Sequence, residues 1–296
     1  MSGETGLPTR MVFGALGGMG AACFCHPLDV IRVQMQVDPT AGNPLVTGMN
    51  IFKRGGLRTL YSGIDAAFLR QWTYGSCRVG IYSYLLSSAQ EKGSVSFQTK
   101  LGIGCTAGAI GSFVGTPSEL ALVRMSADSS LAPELRRNYK NVVDCCMRIA
   151  KEDGIAGLWK GSTPTIVRAT SLSGATLGCY SESKERLNKY FPQYFGKDSG
   201  PTWLVSTLFA SFVATTVSTP FDVVKSRIQN MPKPKAGEKP LYSGMFNCFA
   251  TSIKAEGPLV VFKGFVPAFL KLTPYNIISL TLTEALMTAY TGKAAF

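Results

Sequence analysis

Residues 27–32 read Pro27-Leu28-Asp29-Val30-Ile31-Arg32, and the same grammar returns at Pro117-Ser118-Glu119 and Pro220-Phe221-Asp222. Each time an apolar stretch runs into a proline, and an acid follows two residues later. A polar loop with a short amphipathic piece comes next, then a glycine, then an aromatic-x-Gly element. These read Gly56 to Tyr61-Ser62-Gly63, Gly154 to Trp159-Lys160-Gly161, and Gly257 to Phe262-Lys263-Gly264. A second apolar stretch follows each of them. The prolines stand 90 and 103 residues apart and the second glycines 98 and 103. Two motifs in one order at one period define a repeat architecture. The chain therefore divides into repeats over 1–97, 98–200 and 201–296, and these are expected to form one integrated transmembrane domain.

Two apolar stretches per repeat make six, over 10–37, 64–90, 98–127, 162–190, 202–230 and 265–291. A spanning helix needs about 20 residues at a rise of about 1.5 Å each. These stretches are longer, so they are expected to tilt, kink or protrude. None is uniformly apolar, which predicts an all-α bundle around a water-accessible cavity. The pieces near 48–56, 141–152 and 244–255 read as short surface helices. An even number of spans puts both termini on one side. Composition agrees: 46% of residues are hydrophobic, only 16% are charged, and the 31 glycines sit largely inside apolar stretches, where small residues let helices approach.

The net charge of +12 admits nucleic acid, anionic lipid or an anionic substrate as partner. Nucleic acid is disfavoured, because the basic residues form no block and many lie within apolar stretches. The eight cysteines and one histidine show no metal spacing, and no metal or other cofactor is expected. His26 stands alone beside Pro27, and the glycine-rich run Gly14 to Gly20 lies within a span with no strand before it, so the chain is not expected to be an enzyme. The first ten residues, MSGETGLPTR, lack an Arg-rich presequence and a signal-peptide core, which leaves targeting to internal segments.

Seven residues past each repeat glycine stands a cation: Arg70, Arg168 and Lys271. Seven residues carry a helix about 10 Å into the membrane, so three cations lie at one depth on three equivalent helices. An unpaired charge there costs at least ~2.5–3.5 kcal/mol; a wet cavity and a negative ligand offset that cost. Arg70, Tyr74 and Arg78 are spaced by four and share one helical stripe, with the two guanidinium-bearing positions about 12 Å apart. Cations at that spacing suit the two carboxylates of a dicarboxylate, and Tyr74 can bond a hydroxyl or keto oxygen. Few acids lie at mid-helix to neutralise this set. Small-x-x-x-small pairs (Gly14 with Gly18, Gly104 with Gly108, Thr207 with Ser211) predict close helix contacts.

Pro-x-acid repeated three times, each time with an aromatic-x-Gly element behind it, resembles the mitochondrial carrier family over nearly the whole chain. Three strings resemble its 2-oxoglutarate/malate branch: Leu69-Arg70-Gln71 through Arg78 to Tyr82, Gly115-Thr116-Pro117 through Asp128, and Arg227-Ile228-Gln229-Asn230-Met231. The resemblance implies six helices in three pseudo-threefold repeats around a central cavity, with matrix-side surface helices and exchange of small metabolites across the mitochondrial inner membrane by alternating access. It implies substrate contacts at Arg70, Tyr74, Arg78, Arg168 and Lys271, although that branch carries Arg where Lys271 stands. Another dicarboxylate, phosphate, sulfate, a proton leak or a structural role stay open.

The family's matrix gate maps onto kink residues Pro27, Pro117 and Pro220, acids Asp29, Glu119 and Asp222, and bases Arg32 and Lys225, braced by Gln36 and Gln229. Asp222 is expected to meet Arg32, and Glu119 to meet Lys225. Asp29 faces only Leu122 and is expected to go without a bridge, since Arg124 points about 200° away. On the cytoplasmic side only Lys184 and Glu284 can pair. Lipid, cardiolipin in the family, is expected at Gly63, Lys160, Gly161, Gly244, Lys263 and Gly264. Three repeats complete a cavity, so a monomer suffices, with both termini facing the intermembrane space.

Overall fold

The computed structural model describes residues 7–91, 93, 95–128, 131, 134, 136–190, 200–231 and 241–291; both chain ends lie outside them. Each repeat contributes a long helix, a short surface helix and a second long helix. The first repeat holds α1 (Leu7–Val37), α2 (Pro44–Leu60), α3 (Ile64–Arg70) and α4 (Ser76–Gln90). A π-helical turn over Gln71–Gly75 joins α3 to α4. The second holds α5 (Phe97–Asp128), α6 (Val142–Asp153) and α7 (Ser162–Tyr190). The third holds α8 (Gly200–Asn230), α9 (Met245–Glu256) and α10 (Phe265–Thr291). These match the six long and three short helical segments read from the sequence. The stretches Met11–Val37, Val205–Asn230 and Pro258–Tyr290 are long and apolar enough to span a membrane on composition alone. The second long segments of the first two repeats carry cavity-facing residues such as Arg70, Arg78 and Arg168, and α5 is diluted by glycine, serine and threonine.

Pro27, Pro117 and Pro220 lie inside α1, α5 and α8. Proline takes away the amide that would bond the carbonyl four residues earlier. For Pro27 that carbonyl belongs to Cys23, and it accepts the Tyr61 hydroxyl at 2.9 Å. For Pro117 it belongs to Phe113, and it accepts the Trp159 indole N–H at 3.0 Å. The aromatic of the aromatic-x-Gly element thus caps the proline break of its own repeat. Phe262 holds the equivalent place in the third repeat and has no donor to offer.

The glycine closing that element opens the next long segment in a left-handed conformation, at φ 79° for Gly63 and 81° for Gly161 and Gly264, which favours glycine alone. These glycines also admit close neighbours from the next repeat. A Cβ on Gly161 would stand 2.9 Å from Gln229 Cγ, one on Gly264 3.2 Å from Gln36 Cγ, and one on Gly63 3.5 Å from Ser126 Oγ.

Two surface helices are strapped to the long helix before them. Arg124 of α5 meets Asp153 at 3.3 Å and donates to the Gln229 carbonyl at 3.1 Å. Arg227 of α8 meets Glu256 at 2.6 Å and donates to the Gln36 carbonyl at 3.0 Å. Arg124 is therefore committed here and does not serve Asp29. In the first repeat Gln34 and Gly55 occupy these places. Gln34 keeps the bond to the next repeat, at 3.4 Å from the Ser126 carbonyl, but Gly55 offers no acid, and α2 departs from helical geometry at Gly55 and Gly56.

Burial raises the Glu256 pKa, but the bonds from Arg227 and Lys263 outweigh it and hold the carboxyl below its ordinary 4.5. A depressed carboxylate pKa gives stability that is complete above the ordinary value and lost as pH falls through the folded one. Glu256→Gln should therefore cost about 2 kcal/mol at pH 7, a fall of roughly 5 °C in melting temperature. The gap to wild type should shrink in melts run below pH 4.5; a gap independent of pH would remove the charge from the explanation.

Candidate functional site: a cationic cavity closed at its proline end

The proline ends of α1, α5 and α8 meet in a knot of ion pairs. Arg32 of α1 contacts Asp222 of α8, and Lys225 of α8 contacts Glu119 of α5. These are the two pairs expected from the repeat spacing. Glu119, Asp222 and Lys225 are buried, so each charge requires its partner.

The third acid departs from expectation. Asp29 is paired: Lys271 Nζ lies 2.7 Å from both its carboxylate oxygens. The expectation that few acids could neutralise the mid-helix cations is likewise overturned. Arg70 reaches Glu119 at 3.4 Å, and Arg168 reaches Glu119 at 3.8 Å and Asp222 at 3.4 Å. Long side chains bridge the turn or so of helix that separates the cation level from the acid ring. Contact cations and gate acids form one network.

Around this network lies a small cavity of about 60 Å³, lined by Asp29, Glu119 and Asp222 and by Arg32, Arg70, Arg168, Lys225 and Lys271. Five cations face three acids, an excess of two positive charges. Arg32, Arg70, Arg168 and Lys271 also floor a second cavity of about 780 Å³, which continues past Tyr74, Arg78 and Tyr275 to Ser83, Thr283 and Met287. All five substrate positions read from the sequence line this larger cavity.

Local structure explains their aim. The π turn widens the helix between Arg70 and Ser76; such turns recur at functional sites. Gly115 of α5 lets this turn approach, since a Cβ there would stand 2.7 Å from Tyr74 Cβ. Tyr74 sits between two cations. The Arg70 guanidinium lies 5.2 Å from its ring centre, and Arg78 donates to its hydroxyl at 3.4 Å. Arg168 Nε is buried and faces Asp222 at 3.4 Å without completing a hydrogen bond, and Arg32 Nε is likewise unsatisfied.

Other expectations need correction. Gln36 and Gln229 do not brace the ion pairs. The Gln36 carbonyl oxygen of the side chain accepts from Ser226 at 2.7 Å, and the Gln229 amide has no partner. Both are pinned beneath the repeat glycines described above. Lys184 and Glu284 form no ion pair with each other; Lys184 has another partner. Among the described residues that pair is open while the proline-end pairs are made. Lys263 is held by Glu256 and by the Pro39 carbonyl, at 2.8 and 2.7 Å, and Lys160 reaches the Met231 carbonyl at 3.5 Å. Each ammonium keeps at least one further donor, and the backbone at Gly63, Gly161, Gly264 and Gly244 lies at the helix starts, Gly244 being the N-cap of α9. Gly18 meets Gln71 closely, as expected, but Gly14 has open space around it, and the other tight positions on α1 are Gly17, against Ser279 and Thr283, and Gly20, against Leu282.

Tyr275, Gln71 and the Asp29–Lys271 pair were not legible from the motifs. Tyr275 lies four residues past Lys271, as Tyr74 lies four past Arg70, and that parallel was the available signal.

The model of the mitochondrial carrier protein family matches residues 3–93, 93–191 and 198–294. A Caenorhabditis elegans protein named mitochondrial 2-oxoglutarate/malate carrier protein is 38% identical over 98% of this chain and 96% of its own length. The Homo sapiens protein of the same name is 36% identical over 95% and 90%. An Arabidopsis thaliana protein named mitochondrial uncoupling protein 5 is 33% identical over 92% and 94%. Three matched segments, end to end over three structural repeats, agree with the cavity and its latched proline end: the chain belongs to the mitochondrial carrier family.

Proposed function

We propose that this protein resides in the mitochondrial inner membrane and exchanges small dicarboxylates, 2-oxoglutarate against malate, by alternating access. The observation that carries this reading is the excess of two positive charges at the floor of the cavity, with Arg78 as one further cation on its wall. A dianion balances it, and guanidinium groups at two heights can each take one carboxylate. In this reading the proline end faces the matrix and is the closed side, with both termini in the intermembrane space. A bound dicarboxylate draws Arg70, Arg168 and Lys271 away from the acid ring and so loosens the latch. A monomer carries out the cycle, with cardiolipin seated on the backbone at the helix starts.

The test is uptake of labelled 2-oxoglutarate into cardiolipin-containing proteoliposomes, with and without internal malate. Uptake that requires internal malate is expected. Folded protein that takes up no dicarboxylate would reject the substrate; a proton conductance in the same vesicles would instead favour the activity named in the Arabidopsis relative.

A further inference from the structure

The three ring acids draw their bases from unequal places. Glu119 and Asp222 meet Lys225 and Arg32, each five residues past a proline. The equivalent base for Asp29 would stand at 122, and that residue is Leu122, which lines the same small cavity as Asp29. The void in the pattern is filled from another level. Lys271 comes down from α10 and places its ammonium 2.7 Å from both oxygens of Asp29. The same ammonium lies 4.9 Å from the centre of the Tyr275 ring, a cation–π distance. Tyr275 stands one helical turn further into the large cavity. Asp29 thus holds Lys271 from below and Tyr275 covers it from the ligand side. At Arg168 the position four residues on is Leu172, so that cation has no such cover.

Lysine at this place has a consequence that arginine would not. A guanidinium presents five donors in a rigid fork and can serve two carboxylates together, whereas an ammonium is a compact point charge. With Asp29 bidentate on it, Lys271 cannot serve a ligand carboxylate equally well without loosening its hold on Asp29.

We propose that Lys271 is the third latch of the proline-end gate, substituting for the base that Leu122 omits, with Tyr275 as its positioning residue. Opening then requires that an incoming carboxylate compete Lys271 away from Asp29. The competition step rests on the dicarboxylate reading above; the latch itself does not.

The latch is tested by melting the purified full-length protein without substrate. Asp29→Asn and Lys271→Gln should each lower the melting temperature, and the double variant should melt no lower than the worse single one. Additive falls would overturn the pairing. Tyr275→Leu should lower the melting temperature and Tyr275→Phe, which keeps the ring, should restore most of it; equal falls would remove the ring from the argument. The competition is tested in proteoliposomes with Leu122→Lys, which supplies Asp29 with a ring base. Half-saturation for 2-oxoglutarate should fall at least threefold as Lys271 is freed, and the maximal rate should fall as a third ring bridge forms. Unchanged values in folded protein would overturn the competition. Should wild-type protein carry no dicarboxylate, the melting comparison still decides the latch, and the failure lies with the substrate.

Discussion

Glu119→Gln is expected to lower the stability of the closed form by about 3–5 kcal/mol, the usual cost of removing one partner from a buried ion pair. For a chain of this size that is a fall of roughly 10 °C in melting temperature. Glu119 is buried and stands among three cations: Lys225 in contact, Arg70 at 3.4 Å and Arg168 at 3.8 Å. Glutamine keeps the shape and the acceptor oxygen but removes the charge, so three cations would be left crowded with only Asp222, on Arg168, to offset them. The loss should exceed that of Asp222→Asn, because Asp222 faces two cations. A dicarboxylate added to the variant should restore part of the melting temperature by entering as the missing anion. A variant that melts like the wild type would mean that the knot at the proline end contributes nothing to closure.

Arg168→Ala is expected to reduce exchange about a hundredfold with protein still present in the membrane. Truncating one partner of a desolvated charge pair costs about 2–5 kcal/mol, and 1.4 kcal/mol is a factor of ten. Arg168 bridges Glu119 and Asp222 while its Nε has no hydrogen bond. It therefore joins both acids at the floor of the cavity that a ligand enters. Arg168→Lys should recover charge but not the fork, and so land between the two. Uptake of labelled 2-oxoglutarate, normalised to folded protein, measures both. A rate within threefold of wild type for Arg168→Ala would move the binding site to Arg70 and Arg78.

The repeat grammar was fully legible because it is written three times. The helix limits follow from it, as do the Arg32–Asp222 and Lys225–Glu119 pairs and the five cavity-lining positions. What was illegible lies where the repeats differ or where a side chain leaves its own level. Asp29 looked unpartnered because Leu122 occupies the symmetric place, and no spacing rule says that a lysine 242 residues away will descend to it. The glutamines were misplaced for a related reason: their offset from proline is regular, but the repeat glycine above each one, not the charge beside it, fixes the side chain. The straps from Arg124 and Arg227 needed only a longer reading of the motif, to seven residues past proline and to the acid before Gly154 and Gly257.

The caps on the proline breaks have a mechanical consequence. Tyr61 and Trp159 tie the carbonyl at the break to the start of the following long segment, so in the first two repeats a bend at the proline must carry that segment with it. Phe262 makes no such tie, and α8 meets the start of α10 through the packing of Phe212 on Phe265 and Phe269, a contact that can slide as α8 flexes at Pro220. The straps distribute the other way: the second and third repeats have one and the first does not. Only the second repeat is braced at both joints. A movement that leaves the second repeat stiff and divides its compliance between the elbow of the third and the unbuckled surface helix of the first would make a threefold-looking machine run as an asymmetric one, with a fixed jaw and two unlike moving ones.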